Sequence, residues 1–106
     1  MQKISTVLFS FLLLASSITL ASTGKIKGRV VDKITGEPLI GANVVVVGTS
    51  FGAATDLNGD YVISNLVAGT YEVRASFITH TSSSVTNVRV SSDLTTELNF
   101  ELTPQD

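Results

Sequence analysis

The chain has 106 residues, with seven Lys or Arg, nine Asp or Glu and no cysteine, so its formal net charge is −2. This length supports one domain. The mild negative charge disfavours nucleic acid and anionic membranes as partners, and the lack of cysteine excludes disulfides and a cysteine-acylated lipoprotein.

Residues 1–21 have the pattern of a helical secretory signal peptide. Lys3 supplies a positive charge, residues 7–15 form an apolar segment, and Thr19-Leu20-Ala21 places small residues where cleavage before Ser22 requires them. A retained membrane anchor is the alternative, but serines and threonines interrupt a run that is already short of the roughly 20 apolar residues of a span. We therefore predict export, and no membrane span after cleavage.

The chain after the signal peptide has the pattern of short strands separated by turns. Residues 25–30 alternate polar and apolar side chains, which predicts a half-buried strand whose inner face carries Ile26, Gly28 and Val30. Its outer face carries three bases, Lys25, Lys27 and Arg29. These could form a basic patch for a polyanion, but a solvated strand face is favoured for so few charges.

Four consecutive valines, residues 44–47, favour a strand, because β-branched side chains are restricted in a helix and pack well on a pleated sheet. Their lack of alternation predicts a strand partly covered on both faces, or an edge used in association. Residues 70–77 show the clearest alternation, and a further strand is predicted over 85–90. The last strand is predicted over 94–102. The inward side chains of these segments are predicted to be Tyr71, Val73, Ala75, Phe77, Leu98, Phe100 and Leu102, with Leu66 closing one end of the core.

Residues 48–63 are predicted to form a β-hairpin around which the rest of the chain is arranged. An Asn58-Gly59 pair separates two segments of strand-forming residues, and Asn-Gly accepts the positive φ angles that a two-residue hairpin turn demands. Together the segments predict an all-β fold, an antiparallel β-sandwich of about seven strands. It would occupy residues 22–102, with 103–106 as a tail or the start of a linker.

Candidate catalytic residues are few. His80 is the only histidine, and it lies near Ser82, Ser83 and Ser84. A nucleophile needs a base in a fixed geometry, which a flexible Ser/Thr loop does not supply, so we expect His80 in a plain exposed loop. A zinc site in a chain with one histidine and no cysteine would depend almost wholly on carboxylates and is disfavoured.

The segment Asp56-Leu57-Asn58-Gly59-Asp60 alternates oxygen-bearing side chains as a calcium loop does. An EF-hand loop needs glycine at its sixth position and a bidentate Glu at its twelfth. Here glycine is fourth and the twelfth residue is Val67, so the hairpin interpretation is favoured. The acids include no marked pair for glycoside hydrolysis, and the two Tyr without Trp leave few platforms for sugar stacking. We predict no catalytic, cofactor-binding or metal-binding residues.

A spaced pattern of glycines, tyrosines and β-branched residues runs through the chain: Gly28-x-Val30-x-Asp32, Thr35-Gly36-Glu37-Pro38-Leu39-Ile40-Gly41-Ala42-Asn43-Val44-x-Val46, Gly48-Thr49-x-x-Gly52-x-x-Thr55-Asp56-x-x-Gly59-x-Tyr61-x-Ile63 and Leu66-x-x-Gly69-x-Tyr71-x-Val73. It closely resembles the carboxypeptidase regulatory-like domain, a prealbumin-like (transthyretin-like) β-sandwich, over about residues 24–102. The resemblance implies a non-catalytic module. In Bacteroidetes such a domain often follows the signal peptide of outer-membrane TonB-dependent receptors, and in metallocarboxypeptidases it follows the catalytic domain.

Two departures from the family pattern stand out. After Ser76-Phe77-Ile78 the family commonly continues Gly-Tyr, whereas this chain has Thr79-His80. A receptor would also continue beyond Asp106 into a plug and barrel, so we expect either a stand-alone exported module or a truncated receptor.

We therefore expect a non-enzymatic exported module that acts by protein–protein contact in the periplasm or at the outer membrane. Edge-strand pairing is an available mechanism, because open sheets leave unpaired backbone groups at their margins. The alternative is a carbohydrate- or polymer-binding accessory module of an extracellular protein. An enzyme is disfavoured, because no residue supplies an activated nucleophile or a metal-bound water.

Overall fold

The computed structural model describes residues 22–105, and the predicted signal peptide lies outside this range. The described residues form eight strands and contain no helix long and apolar enough to cross a membrane. The strands are β1 (Thr23–Asp32), β2 (Asn43–Val46), β3 (Gly52–Ala54), β4 (Asp60–Val67), β5 (Gly69–Ser76), β6 (Ser83–Val90), β7 (Thr95–Glu97) and β8 (Phe100–Leu102). The predicted all-β sandwich is confirmed.

The strands form two four-stranded sheets. One has the order β4-β1-β7, with β8 also pairing with β1, and the other has the order β3-β2-β5-β6. Most pairs are antiparallel, as predicted, but β1 pairs with both β7 and β8 in parallel. The alternation of side chains along a strand is the same whichever way its neighbour runs, so the sequence pattern did not distinguish the two arrangements.

The core lies between the two sheets and is built from alternate residues of their strands. The side chains with no exposed surface are Ile26, Val30, Ala42, Val44, Val46, Val73, Ala75 and Leu102. Leu66 is buried, as predicted, whereas three of the predicted core residues, Tyr71, Phe77 and Leu98, are only partly buried at its margin.

The valine run lies in a strand as predicted, with Val44 to Val46 in β2, but its predicted position in the sheet is wrong. Val44 and Val46 are buried while Val45 is 41% exposed, so the strand is covered on one face. β2 is also not an edge, because it lies between β3 and β5. Valine fits either face of a half-buried pleated strand, so a valine run does not reveal which face is covered.

The segment predicted as a hairpin, residues 48–63, instead crosses from one sheet to the other. β3 pairs with β2, whereas β4 pairs with β1. At the turn, the Gly59 N–H donates to the Asp56 carbonyl and the Asp56 N–H donates to the Asp60 carbonyl, each over 2.9 Å. Of the Asn58-Gly59 pair only Gly59 has a positive φ, +78°, so this is not the two-residue turn that requires positive φ at both positions.

Gly59 is needed for close packing as well as for its backbone conformation. A Cβ at Gly59 would lie 2.8 Å from both the Pro38 Cβ and the Val30 carbonyl oxygen. Gly36 has nearly the same φ, +76°, but a Cβ there would meet nothing within 4 Å. The two glycines therefore differ in crowding and not in backbone strain.

Replacing each of these glycines by alanine separates the two effects. We expect Gly36→Ala to lower the free energy of unfolding by about 1 kcal/mol, the cost of left-handed backbone for a residue with a Cβ. Gly59→Ala should cost more, about 2–3 kcal/mol, because the Val30 carbonyl must also move. Urea unfolding of both variants measures the difference, and equal losses would show that Gly59 is not crowded.

Candidate functional site

A groove of about 730 Å³ lies on the outer face of the sheet that contains β1. Its apolar surface includes Val31 and Val62, and the rings of Tyr61 and Phe100 in its lining are only 3% and 2% exposed. The groove therefore offers aliphatic surface and charge rather than an open aromatic ring. Its charged lining residues are Lys27, Arg29, Asp60, Glu97 and Glu101.

One wall of the groove is a break between β7 and β8 whose polar groups are bonded within the fold. The Asn99 Oδ1 accepts the Arg29 N–H over 2.9 Å, and the Tyr61 hydroxyl donates to the Leu98 carbonyl over 2.5 Å. Gly28 permits this approach, because a Cβ there would lie 1.8 Å from the Leu98 carbonyl oxygen. Burial raises the pKa of Tyr61, which keeps its hydroxyl a donor. The named polar groups of this wall are therefore occupied in holding the fold together.

The bases of the outer face differ in their pairing. The Arg29 Nε lies 2.9 Å from the Asp60 Oδ1, and the hydrogen bond and charge of Asp60 raise the pKa of Arg29. Lys25 and Lys27 are exposed, and no carboxylate of residues 22–105 lies within 4.0 Å of either amine. The predicted solvent face of β1 is confirmed, and two of its three bases have no ion-pair partner in the described range.

The hydrogen bonds of β1 show which of its backbone groups face β4. The Lys25 N–H donates to the Leu94 carbonyl, the Lys27 carbonyl accepts the Leu98 N–H, and the Arg29 N–H donates to Asn99, all on the side of β7 and β8. Successive residues of a strand direct these groups to opposite sides. The backbone groups of Ile26 and Gly28 therefore point towards β4.

The same alternation identifies an open edge on β4. Ile26 and Gly28 are in register with Ile63 and Tyr61, whose backbone groups complete the β1–β4 ladder. The N–H and C=O groups of the intervening Val62, and of Ser64 beyond Ile63, therefore point away from the sheet. Asp60 is the next outward residue towards the turn, but its backbone groups are occupied. Its N–H donates to the Asp56 Oδ1, and its carbonyl accepts the Asp56 N–H.

The remaining strand edges are short or obstructed. β3, β7 and β8 have three residues each. β6 has eight, but Asn87 within it has a φ of +58°, and the Arg89 carbonyl accepts the Thr96 hydroxyl over 2.8 Å. Bulges and covered edges are devices that hinder strand addition. Asn65, with a φ of +62°, ends the regular part of β4, and Asp60 is bonded to the turn, which leaves residues 61–64 as the accessible edge.

His80, predicted to lie in a plain exposed loop, is instead partly buried and contacts Asp32. Its Nε2 lies 2.7 Å from the Asp32 Oδ2, and the two side chains are 9% and 12% exposed. The Phe77 ring meets the imidazole edge-on, with centroids 5.4 Å apart. The sequence prediction failed because the partner lies 48 residues away and the Ser/Thr-rich loop carries no sign of a tertiary contact.

The other oxygen of Asp32 holds the turn after β1. Its Oδ1 accepts the N–H of Ile34 over 2.8 Å and of Thr35 over 2.9 Å. The bond from Thr35, followed by the one from His80, lowers the pKa of Asp32 to about 2. Asp32 is thus an ionised carboxylate at neutral pH that joins the β1–β2 turn to the β5–β6 loop.

The β5–β6 loop is also bonded to the C-terminal segment. The Thr81 N–H donates to the Thr103 carbonyl and the Gln105 N–H donates to the Thr79 carbonyl, each over 2.8 Å. His80 pairs with Pro104 as an isolated antiparallel bridge. Through His80, Asp32 is therefore connected to residues 103–105, which follow the last strand of the sandwich.

Several of the side chains considered as candidates are hydrogen-bonded within the fold. The hydrogen-bonding partners of the His80 imidazole are Asp32, Thr79 and Ile78, while Ser84 accepts a bond from Arg74. In the segment considered for calcium, the Asp56 Oδ1 accepts the N–H groups of Asn58 and Asp60 over 2.9 and 3.0 Å. The Asp60 carboxylate binds Arg29.

The pH dependence of stability tests the role of Asp32. Its pKa is lower in the folded chain than in the unfolded chain, where the ordinary value is 3.8. The ionised carboxylate therefore stabilises the fold fully above about pH 4, and this contribution is lost as the pH falls towards 2. We expect Asp32→Asn to destabilise the protein at pH 6, with the difference from wild type shrinking between pH 4 and 2.

Urea unfolding of both proteins from pH 2 to 6 measures this difference. Asp93→Asn is the matched control, because Asp93 is exposed and asparagine tolerates its positive φ of +60°. A difference for Asp32→Asn that stays constant with pH would contradict the assignment.

Thr79 carries backbone strain. Its φ is +71°, a conformation that is a genuine outlier for a β-branched residue. We expect Thr79→Gly to raise the free energy of unfolding by about 1 kcal/mol, because glycine adopts this conformation without steric cost. Thr81→Gly, two residues away and without a positive φ, should instead be destabilising, since glycine adds freedom to the unfolded chain. Thermal or urea unfolding measures the stability of the two variants, and a loss of stability in both would contradict the assignment of backbone strain to Thr79.

Comparison with known proteins gives a consistent result. The profile of the carboxypeptidase regulatory-like domain matches residues 25–103. The TonB-dependent receptor SusC of Bacteroides thetaiotaomicron is 56% identical over 39 residues, which is 37% of this chain and 4% of the receptor. The TonB-dependent receptor P3 of Formosa agariphila is 36% identical over 62 residues, 58% of this chain and 6% of that receptor.

A solved structure shares the fold. A chain of the type II cohesin–X–dockerin complex of Acetivibrio cellulolyticus superposes with a TM-score of 0.62 and 28% identity, over 73% of this chain and 52% of that chain. The present chain thus spans about half of that structure and a small part of each receptor. Because the profile match runs from β1 to the residue after β8, the protein belongs to the carboxypeptidase regulatory-like domain family.

Proposed function

We propose that this protein is an exported, non-catalytic module that binds another protein in the periplasm or at the outer membrane, by adding a strand of the partner to the edge of β4. The open backbone groups of Val62 and Ser64 carry this proposal. They are the outward donors and acceptors of a regular edge segment, and an extended peptide that pairs with such groups gains affinity from main-chain hydrogen bonds.

The relatives support the location and the kind of partner. Both curated relatives are TonB-dependent receptors, which matches export by the predicted signal peptide at residues 1–21. The structural relative comes from a cohesin–X–dockerin complex, an assembly of protein modules. A module of this family therefore fits a place in the cell envelope, in contact with another protein.

The contacts of His80 and Asp32 support a structural role over catalysis. Both Asp32 oxygens and the His80 Nε2 are bonded within the fold, so the pair connects a turn to a loop. A carbohydrate-binding role is the weaker alternative, because Tyr61 and Phe100 in the groove present almost no exposed ring on which a sugar could stack.

Capture of partners by edge variants tests the proposal. Val62→Pro removes the outward N–H without removing a hydrogen bond to β1, and Val62→Thr retains both that N–H and the β-branched shape. The full chain, with a tag after Asp106, is expressed in a Gram-negative host and cross-linked in the intact envelope. We expect a processed chain that begins at Ser22, and a specific envelope protein captured by wild type and Val62→Thr but lost with Val62→Pro.

Two results would contradict this function. A chain retained in the cytoplasm would refute export, and equal capture by Val62→Pro and Val62→Thr would refute strand addition at β4. Circular dichroism of each variant establishes that the sandwich is intact, so a loss of capture is assigned to the edge.

A further inference from the structure

We propose that the segment that adds to β4 is acidic, an extended stretch of a partner protein with Glu or Asp on the outer face of the sheet beside Val62. This inference rests on the proposed function and names the chemistry of its partner. It depends on three properties of the outer face, namely the register of β1 and β4, the distribution of charge, and the small side chains along the edge.

The register places a lysine directly behind the edge. Val62 is the Cα partner of Lys27, and its side chain is 52% exposed on the outer face. A strand added outside β4 would lie two strand spacings from β1, roughly 10 Å. The Val62 side chain is short, so a Glu on the new strand can lay its methylene groups over Val62 and direct its carboxylate at the Lys27 amine.

The groove beside this edge is lined by three acids and two bases, yet one of the bases, Lys27, has no ion-pair partner among the described residues. Asp60 is the carboxylate that β4 contributes to the outer face, and it is already paired with Arg29. Lys27 has Glu97 as its register partner on β7, yet the two make no ion pair within 4.0 Å. Glu97 also lies on the far side of β1 from β4. Beside Val62, an incoming strand therefore lies nearer to the unpaired Lys27 than to Glu97, while Asp56 lies at the turn end of the edge, near Arg29.

Lys25 extends this charge along the edge. It lies in a second depression of about 450 Å³, which Ser64 and Asn65 of β4 also line. Asp93 lines the same depression, but no Asp93 oxygen lies within 4.0 Å of the Lys25 amine. Lys25 and Lys27 thus form a basic row behind the open backbone groups of Val62 and Ser64, and complementary charge sets which strands are accepted.

The pleat of the sheet determines which residues of the added strand face the core. Residues of the added strand beside Tyr61 and Ile63 point to the inner face, where both of these side chains are buried in the core. Apolar β-branched residues suit those positions. The expected segment alternates acidic and β-branched residues, with the acids on the side of Lys25 and Lys27.

Peptide binding followed by nuclear magnetic resonance tests the inference. The probes are two capped heptapeptides, one alternating valine and glutamate and the other alternating valine and lysine, titrated into the nitrogen-15-labelled full chain. We expect the glutamate peptide to shift the amide signals of Val62 and Ser64 and to bind about fivefold or more tightly than the lysine peptide. The difference should shrink with added salt, because these charges are exposed.

Charge reversal provides the decisive comparison. Lys27→Glu should reverse the preference between the two peptides, while Arg89→Glu, on the β6 edge of the other sheet, should leave it unchanged. The inference is overturned if neither peptide shifts Val62 and Ser64, if both bind equally, or if Lys27→Glu leaves the order unchanged. Strand capture that depends on the Val62 N–H, with no charge preference in the peptides, would overturn this inference while leaving the proposed function standing.

Discussion

The two-sided hydrogen bonding of β1 is the constraint on which the rest of the structure depends. Alternate residues of β1 bond to β4 on one side and to β7, β8 or Asn99 on the other. Once Lys27 and Arg29 are bonded towards β7 and β8, the direction of the backbone groups on β4 follows as far as Asn65, where the register shifts. The open edge at Val62 and Ser64 is thus a consequence of the hydrogen bonds that β1 makes to strands on both of its sides.

That sharing requires an unusually close approach at one point. The Leu98 carbonyl lies where a side chain at residue 28 would be, and the buried Tyr61 hydroxyl donates to it. Glycine at this position lets the chain break between β7 and β8 while Asn99 replaces the missing backbone partner of Arg29. The groove on the outer face borders this break, so its shape is set by the core beneath it.

At one end of the sandwich a single carboxylate organises three segments. Asp32 binds the turn that follows β1 and the imidazole of His80, and the loop around His80 binds residues 103–105. The Thr79-His80 pair, which departs from the family pattern, therefore combines a strained backbone at Thr79 with a contact between His80 and Asp32. The two ends of the molecule thereby differ, with a bonded C-terminal segment at one and the start of β1 at the other.

Local sequence pattern by itself determined the family, most of the buried side chains and most of the strands, but it predicted one strand over 94–102 where the structure has β7 and β8. Alternation identified Ile26, Val30, Val73 and Ala75 as core residues, because a strand with one buried face must alternate. The sequence also placed the turn at Gly59, since only glycine accepts that conformation without strain. Tertiary structure alone decided which strands pair, that β3 and β4 belong to different sheets, and that His80 contacts Asp32. These outcomes depend on contacts between residues far apart in the chain, which short-range periodicity does not encode, and the open edge of β4 is among them.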